Sequence, residues 1–341
     1  MEPTDPASKN SGGDLSGGSG APDRATGAAA ERPTAQPPGR SSALSPAPLL
    51  DPAADPELAS IITIAREAGA LALRYFLSVH GRREPDADAA GAPRLAVEMK
   101  PGDEPVTEAD RAVNALCVAG LRREFPQDAV LSEELPDDGA RHHAPRTWLV
   151  DPIDGTKDFI AGRPGFAVMI GLLENRDGDA RPTLGVVYQP TVDRLWYARR
   201  GRGAFEVVAD RAPRRLAVST VDVLTEARLV SSASHREELV AQVREAAGIR
   251  DEEQVGSVGV KLGLIAAGVR DLYVNPAGRC KLWDTGAPEI ILAEAGGRLT
   301  DFAGQPLRYT EGLGHNHGLV ASNGGLHDAA LERLRPFLGQ R

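Results

Sequence analysis

Residues 148–159 read WLVDPIDGTKDF, and this stretch decides how the rest of the chain is interpreted. Three apolar residues form the end of a strand, and Asp151 lies where the strand stops. The strand stops there because Pro152 cannot extend a hydrogen-bonded ladder. Asp154 comes three residues after Asp151, and Gly155-Thr156 opens a short helix. This spacing turns two carboxylates and a backbone carbonyl toward one point, the donor set that hard cations prefer. Taken alone, the stretch is also compatible with a tight turn capped by an aspartate.

Three more acidic segments extend this pattern along the chain. Glu133 and Glu134 end the preceding strand, so that a glutamate can lie beside Asp151 across the sheet. Asp284 opens a helix far downstream, and Asp110 lies in the first turn of the second helix. By themselves, the last two are ordinary acids at helix N-termini, where caps and the helix dipole favour negative charge.

Together these segments resemble a known enzyme family. The motifs VTEAD, SEE, WLVDPIDGT and WDTGAPE occur in the order found in the lithium-sensitive, magnesium-dependent phosphatases of the inositol monophosphatase superfamily. The resemblance runs from about Glu57 to the C-terminus. Within the superfamily it is greatest to the 3′(2′),5′-bisphosphate nucleotidases, through the segments 100–107, 234–235, 256–261 and 276–284.

The resemblance implies specific roles. Two or three Mg²⁺ ions would be held by carboxylates and one carbonyl, namely Glu133, Asp151, the Ile153 carbonyl, Asp154 and Asp284. Thr156 and Asp110 would form the catalytic pair that positions and deprotonates the attacking water. The residues expected to bind substrate are Gly155, Thr156, His235, Ser257, Lys261 and Asp284, with His235 and Lys261 meeting the nucleoside or its second phosphate.

The expected architecture is α+β in the first part and α/β in the second. Helices are predicted over 57–80, from 107, and over 237–247, 260–267, 283–295 and 325–338. Strands are predicted over 95–99, 129–132, 148–150, 166–173, 184–188, 195–197, 204–208, 228–232, 271–274, 298–300 and 319–321. The resemblance implies a layered αβαβα sandwich of the sugar-phosphatase type.

Three regions are expected. Residues 1–50 contain 8 Pro, 7 Ser, 7 Gly and 9 Ala, and are predicted to be a disordered tail because they cannot bury enough apolar surface to offset ordering entropy. Residues 51–210 form the predicted N-terminal α+β domain with the metal motifs. Residues 211–341 form the predicted C-terminal α/β domain that completes the active site.

Composition excludes several classes of protein. With 48 acidic and 39 basic residues the formal charge is −9, which disfavours a dedicated binder of nucleic-acid polymers. There is no uninterrupted apolar run long enough for a membrane span. Two cysteines suit a reducing compartment, so a cytoplasmic location is expected. Dimers are common among the proteins that the chain resembles, which makes a homodimer an open possibility.

The leading functional hypothesis is a Mg²⁺-dependent phosphomonoesterase. It would hydrolyse the 3′-phosphate of adenosine 3′,5′-bisphosphate to AMP and phosphate by means of an activated water. The alternative with the same mechanism is an inositol or sugar-phosphate phosphatase. An aspartyl-phosphate phosphatase would need a D-x-D spacing, whereas Asp151 and Asp154 lie three residues apart. A silent binding module would not need carboxylates at all four places.

Overall fold

The structure is a computed structural model that describes residues 50–81, 97–100, 104–232, 238–276, 280–315 and 317–337. These residues belong to one compact unit, Ala47–Arg341. The predicted tail, apart from Leu50, and the predicted substrate residue His235 lie outside the described residues. The predicted division between residues 210 and 211 stays a prediction.

Two helices form the first layer. Helix α1 (Pro56–His80) begins after Asp55, whose carboxylate accepts a hydrogen bond from the Leu58 N–H at 3.1 Å. A two-stranded hairpin, β1 (Val97–Lys100) and β2 (Glu104–Thr107), leads into helix α2 (Glu108–Glu124). The two helices approach closely at Gly120, where a Cβ atom would lie 3.0 Å from the Ile64 side chain.

A seven-stranded sheet forms the second layer, with strand order β3-β4-β5-β6-β7-β8-β9. Its first two strands are parallel and the others antiparallel. The elements are β3 (Ala129–Ser132), β4 (Arg146–Asp154), the short helix α3 (Thr156–Ile160), β5 (Ala167–Arg176), β6 (Asp179–Gln189), β7 (Arg194–Arg199), β8 (Gly203–Val208) and β9 (Arg214–Arg215).

A five-stranded sheet and four further helices complete the described fold. The sheet has strand order β11-β10-β12-β14-β13. The elements are β10 (Arg228–Ser232), α4 (Glu238–Ala247), β11 (Asp251–Val255), α5 (Val258–Ala266), β12 (Leu272–Asn275), α6 (Leu282–Glu294), β13 (Arg298–Thr300), β14 (Leu319–Ser322) and α7 (His327–Leu334).

Three apolar clusters define the stacking of these layers. One joins α1 and α2 to one face of the large sheet, and a second fills the space between the two sheets around α5 and α6. The third joins α4 and α7 to the outer face of the small sheet. The order of layers is therefore helix, sheet, helix, sheet, helix, which confirms the predicted αβαβα sandwich.

Glycines allow helix α6 to press against the large sheet. A Cβ atom at Gly185 on β6 would lie 2.4 Å from the Ala287 carbonyl oxygen, and one at Gly171 on β5 would lie 2.8 Å from the Ala287 nitrogen. Real Cβ contacts are not that short, so larger residues here would push the helix away from the sheet. This close approach brings the N-terminal end of α6 toward the end of β4.

Two features of the first sheet differ from the sequence prediction. Strand β4 does not end at Asp151, because it continues to Asp154 across a register irregularity between these two residues. The irregularity accommodates Pro152, which has no N–H to offer a regular ladder. The sequence pattern also missed β9, which extends the large sheet to Arg215.

Two other strands were missed for physical reasons. Strand β11 has the sequence DEEQV, which is poor in strand-forming residues, and it is held by parallel pairing with β10 at the edge of the small sheet. Strand β2 lies immediately before α2 and pairs only with β1. In both cases the pairing partner, not the local pattern, stabilises the strand.

We expect Asp271→Asn to destabilise the protein by about 2–4 kcal/mol at neutral pH, because it breaks a buried ion pair. Asp271 is fully buried and accepts hydrogen bonds from the Arg228 guanidinium, the Arg228 N–H and the Ser219 hydroxyl. Burial raises the pKa of Asp271, but these bonds outweigh it and hold the pKa below its usual value. The contribution is therefore present above the unfolded-state pKa and is lost as the pH falls through the lower folded-state pKa.

Denaturant unfolding at pH 7 and pH 3 measures this effect. The wild-type advantage over Asp271→Asn should shrink at the lower pH. Asp251→Asn is the control, since that partly exposed carboxylate pairs with Arg270 at the sheet edge and exposed pairs contribute little. An equal loss in both variants, or a loss for Asp271→Asn that is independent of pH, would contradict the prediction.

Candidate active site

The parallel pair β3 and β4 brings two acidic segments to one edge of the large sheet. Ser132 lies opposite Val150, and the Glu133 N–H donates a 3.1 Å hydrogen bond to the Val150 carbonyl. Parallel strands present their carboxyl ends on the same side, so Glu133 follows β3 next to Asp151 on β4. The adjacent positions of β3 and β4 therefore bring Glu133 and Asp151 together, as the sequence predicted.

Gly155 makes the sharp turn between β4 and α3. Its φ of 96° lies in the left-handed region, which residues with a Cβ atom rarely adopt. A Cβ atom there would also lie 3.2 Å from both the Gly165 carbonyl oxygen and the Ser257 nitrogen. The turn places Thr156 at the first position of α3, where helical N–H groups have no partner within the helix.

The Thr156 side chain contacts Asp110, as the resemblance implied. The Thr156 Oγ1 atom lies 3.2 Å from Asp110 Oδ1 and 3.0 Å from the Ile153 carbonyl oxygen. Asp110 is held in place by Thr107, the N-cap of α2, which donates its N–H at 2.8 Å and its hydroxyl at 2.5 Å to Asp110 Oδ2. One carboxylate oxygen is thus occupied by the cap, and the other faces Thr156.

Asp154 is held by the beginning of helix α5. The Ser257 hydroxyl donates to Asp154 Oδ2 at 2.5 Å, and the Gly259 N–H donates to the same oxygen at 2.7 Å. The Ser257 N–H in turn donates to the Gly165 carbonyl oxygen at 3.0 Å. These bonds attach the turn before α5 to the loop after α3. Asp154 on β4 is therefore held by residues that lie more than a hundred positions later in the sequence.

Asp284 reaches the same place from helix α6. It lies in the first turn of α6, and its Oδ2 atom accepts a 2.8 Å hydrogen bond from the Lys281 N–H. Its charge raises the pKa of Asp151, and the charges of Asp154 and Glu133 raise its own pKa, so these carboxyl groups lie close together. The downstream acid therefore meets the proline-interrupted pair on β4.

The carboxyl groups repel one another strongly. Burial raises the pKa of Asp151 well above its usual value, and the charges of Glu133, Asp154 and Asp284 raise it further. Burial and the Asp154 charge likewise raise the pKa of Asp284 well above its usual value. Such a cluster carries its full negative charge only when a cation compensates it.

The chemistry of this cluster fits a divalent cation. The Asp151 Oδ1 atom is buried and has no hydrogen-bond partner, so it lacks the donor that a buried oxygen needs. In the described part of the chain, no three His, Cys, Asp or Glu side chains form a group that could hold a metal ion as they stand. Ligation would therefore require these carboxylates to rotate toward a common point.

Residues 56–337 match the model of the inositol monophosphatase family. This chain belongs to that family. Its similarity to a histidinol-phosphatase of Mycobacterium tuberculosis is 40% identity over 249 residues, covering 72% of this chain and 90% of that protein. It is also 35% identical over 221 residues to the 3′(2′),5′-bisphosphate nucleotidase CysQ of Salmonella typhimurium, covering 64% of this chain and 85% of that protein.

Solved structures of the family share the fold. An inositol monophosphatase of Thermotoga maritima is similar with a TM-score of 0.67 and 28% identity, covering 84% of this chain and 99% of that one. The enzyme from Anabaena is similar with a TM-score of 0.61 and 27% identity, covering 82% and 95%. Together with the family match, these similarities make the chain an inositol monophosphatase-family phosphatase of α+β fold.

Two of the predicted substrate residues are buried in this structure. Ser257 is fully buried, and its hydroxyl is used by Asp154 and by the Val260 N–H. Lys261 is 1% exposed, and its Nζ atom donates to the carbonyls of Val255 and Gly256 at 3.0 and 2.7 Å. Both side chains are already hydrogen-bonded to the protein, and their contact with substrate stays a prediction.

Both residues act on Asp154, Ser257 through its hydrogen bond and Lys261 through its charge. The Lys261 charge lowers the pKa of Asp154, opposing the larger effect of burial, which raises it. The sequence pattern also did not single out Thr107 as the partner that holds Asp110, although its N-cap position was predicted. A capping box at the start of α2 was the available signal, since its third residue is the proposed base.

We expect Asp151→Asn to raise the melting temperature of the metal-free protein and to weaken its stabilisation by Mg²⁺. The substitution removes one charge from a buried group of carboxylates, which relieves repulsion, and it removes a ligand that a hard cation prefers. Thermal unfolding at pH 8, in EDTA and across a Mg²⁺ titration, measures both effects.

Asp177→Asn is the matched control, because Asp177 lies at the tip of the exposed β5–β6 turn. It should follow the wild-type curve under both conditions. If Asp151→Asn melts below the wild type in EDTA, or if Mg²⁺ raises its melting temperature as much as that of the wild type, the repulsion argument is wrong.

Proposed function

We propose that this protein is a Mg²⁺-dependent phosphomonoesterase in which Thr156 and Asp110 prepare water for attack on phosphorus. The contact between Thr156 Oγ1 and Asp110 Oδ1 beside the carboxylate cluster is the observation that supports this proposal most directly. A threonine hydroxyl keeps its own proton at neutral pH, so it serves as a relay and needs a carboxylate behind it.

The protein side of the reaction follows from the hydrogen bonds. While Thr156 donates its proton to Asp110 Oδ1, its oxygen can accept a proton from water. Burial raises the pKa of Asp110, opposed by its bonds from Thr107, so this carboxylate is a better base than an exposed aspartate. Its Oδ2 atom is bonded to Thr107, and the proton released by water therefore arrives at Oδ1.

The remaining roles concern charge and orientation. Mg²⁺ ions held by Glu133, Asp151, the Ile153 carbonyl, Asp154 and Asp284 would neutralise the phosphate charge and favour ionisation of the water. The N–H groups of Gly155 and Thr156, at the beginning of α3, would donate to phosphate oxygens and hold the phosphorus in line with the water. The proposal includes two or three such ions.

We expect Thr156→Val to lower kcat by about 10²–10³-fold while KM changes little, because the substitution removes the relay but preserves shape and the backbone donor. Thr156→Ser retains the hydroxyl and is the control, with activity close to wild type. Steady-state phosphate release under saturating Mg²⁺ measures both variants. A Thr156→Val enzyme within about threefold of Thr156→Ser would rule out the relay.

For the substrate we propose the 3′-phosphate of adenosine 3′,5′-bisphosphate, with AMP and phosphate as products. Support comes from the four nucleotidase-like segments of the sequence and from the similarity to CysQ proteins, which are named for this activity. A specific observation favours a second candidate, since the similarity to the histidinol-phosphatase of Mycobacterium tuberculosis is higher, at 40% identity. An inositol phosphate is the third candidate, on the basis of the shared fold.

We expect kcat/KM for adenosine 3′,5′-bisphosphate to exceed that for histidinol phosphate and inositol 1-phosphate by at least about tenfold, a difference of about 1.4 kcal/mol in transition-state binding. Initial rates with the three compounds at one Mg²⁺ concentration decide between them. A higher value for histidinol phosphate would assign that substrate and overturn the nucleotide assignment. The resemblance to lithium-sensitive phosphatases also implies inhibition by Li⁺, which a Li⁺ titration in the same assay tests.

The cellular setting is proposed from the family and the composition of the chain. A small phosphorylated substrate fits the family, whereas the net charge of −9 does not suit a nucleic-acid polymer. Within the described residues, no helix has the length and apolar character needed to cross a bilayer. A cytoplasmic location and a homodimer complete the proposal, and gel filtration with light scattering tests the latter.

A further inference from the structure

Helix α6 contributes two residues to a largely buried chain of hydrogen-bonded side chains that begins next to Asp284. Thr285 and Glu289 lie four residues apart and therefore on one face of the helix. The Tyr309 hydroxyl contacts both: it donates to Glu289 Oε2 and lies 3.1 Å from Thr285 Oγ1. On the other side, His315 Nε2 lies 2.8 Å from Thr285 Oγ1. None of these groups takes part in the reaction proposed above.

Counting protons shows that the chain forms one directed set of hydrogen bonds. Tyr309 has a single hydroxyl proton, so when it donates to the Glu289 carboxylate it can accept from Thr285, whose Oγ1 atom also lies 3.3 Å from the Leu282 carbonyl oxygen. Thr285 then accepts from the Nε2–H of His315. Burial lowers the pKa of His315 to about 4, so the imidazole is neutral and carries one such proton. Glu289 Oε2, the Tyr309 hydroxyl, Thr285 Oγ1 and His315 Nε2 each have a partner in this arrangement.

Glu289, the acceptor at the end of this chain of hydrogen bonds, has an unusual pKa for a glutamate. Burial raises the pKa of Glu289 to about 7, although the Tyr309 hydrogen bond and the charges of Arg181 and Arg200 lower it. A buried carboxyl group reduces stability unless its hydrogen bonds compensate for lost hydration. A glutamate at position 289 therefore lowers the free energy of unfolding relative to an apolar residue. This points to a role for the hydrogen bond that it accepts.

Pro288 explains why this turn of the helix needs support. It lies inside α6 and has no N–H to donate to the carbonyl of the residue four positions earlier, which is Asp284. Its ring also crowds that carbonyl. The normal helical bond is thus missing at the residue whose side chain joins the acidic cluster. Side-chain bonds to the adjacent Thr285, which is fully buried, can replace that restraint.

The groups that hold Thr285 are themselves anchored to the start of α6. The Leu282 N–H donates to the Leu313 carbonyl at 3.0 Å, and the His315 N–H donates to the Cys280 carbonyl at 2.7 Å. Lys281 and Gly314 form an isolated β-bridge between these segments. The segment 313–315 therefore follows the backbone of residues 280–282, so a force on His315 is transmitted directly to the first turn of α6.

We propose that Glu289, Tyr309 and His315 are positioning residues for Asp284, which they orient by holding Thr285 in the first turn of α6. The inference rests on the proposed metal role of Asp284. Loss of the chain would let this turn move and would weaken metal binding, while leaving Thr156 and Asp110 in place.

The first test compares two buried tyrosines. Tyr309→Phe removes the hydroxyl at the centre of the chain but keeps the ring. Tyr197→Phe is the control, because Tyr197 is fully buried on β7 in the cluster next to α1, with its hydroxyl 3.5 Å from the Leu50 carbonyl. The readout is the Mg²⁺ concentration that gives half of the Mg²⁺-induced rise in melting temperature, measured without substrate.

We expect the Mg²⁺ midpoint of Tyr309→Phe to rise by about fivefold, the effect of one hydrogen bond of about 1 kcal/mol, while Tyr197→Phe keeps the wild-type midpoint. Thr285→Val should match Tyr309→Phe, and the double variant should be no worse than either single variant because both remove the same bond. Pro288→Ala restores the missing N–H and should return the midpoint of Tyr309→Phe toward the wild-type value.

Each result supports or overturns the inference. An unchanged midpoint in Tyr309→Phe, or equal shifts in Tyr309→Phe and Tyr197→Phe, would overturn it. Additive shifts for Thr285→Val and Tyr309→Phe would overturn the shared path through Thr285. If Mg²⁺ does not raise the melting temperature of the wild type at all, the metal role of Asp284 fails and the inference fails with it. If Mg²⁺ does raise it, an unchanged midpoint in Tyr309→Phe overturns the inference alone and leaves the metal role of Asp284 standing.

Discussion

Repulsion among buried carboxyl groups is the constraint on which the rest of this site depends. Asp151, Asp154 and Asp284 are brought together from β4 and α6, with Glu133 close enough for its charge to act on two of them. Placing these charges in a poorly hydrated site has a large free-energy cost. The surrounding protein reduces that cost with hydrogen-bond donors, and a divalent cation would remove most of the remainder.

The distribution of donors shows how the protein manages this cost. Asp154 receives hydrogen bonds from Ser257 and Gly259 and lies near the Lys261 charge, so it is well supported. Asp151 has an oxygen with no partner, and its pKa is raised well above the usual value. The unsupported oxygen is the one for which a cation would change the energy most, which explains why a charged group is tolerated at a buried position.

The two sides of the site are rigid for different reasons. Asp110 is fixed by local sequence, because Thr107 and Asp110 form a capping box within one turn of α2. Asp284 depends on the close packing of α6 against Gly171 and Gly185 of the large sheet, and on the side-chain bonds that reach Thr285. Relatives of this chain are named for different phosphate esters.

The sequence by itself determined most helices and strands, the cap on α2 and the four acidic motifs, because periodicity, caps and turn residues act over short distances. The layered architecture was implied by the resemblance to a known family. Only the tertiary structure decided that strand β4 continues past Pro152, that the acidic strand β11 pairs at an edge, and that Ser257 and Lys261 are buried. The Glu289–Tyr309–Thr285–His315 chain was equally invisible beforehand. Its members lie up to thirty residues apart, and a hydrogen bond between distant segments leaves no periodic signal in either of them.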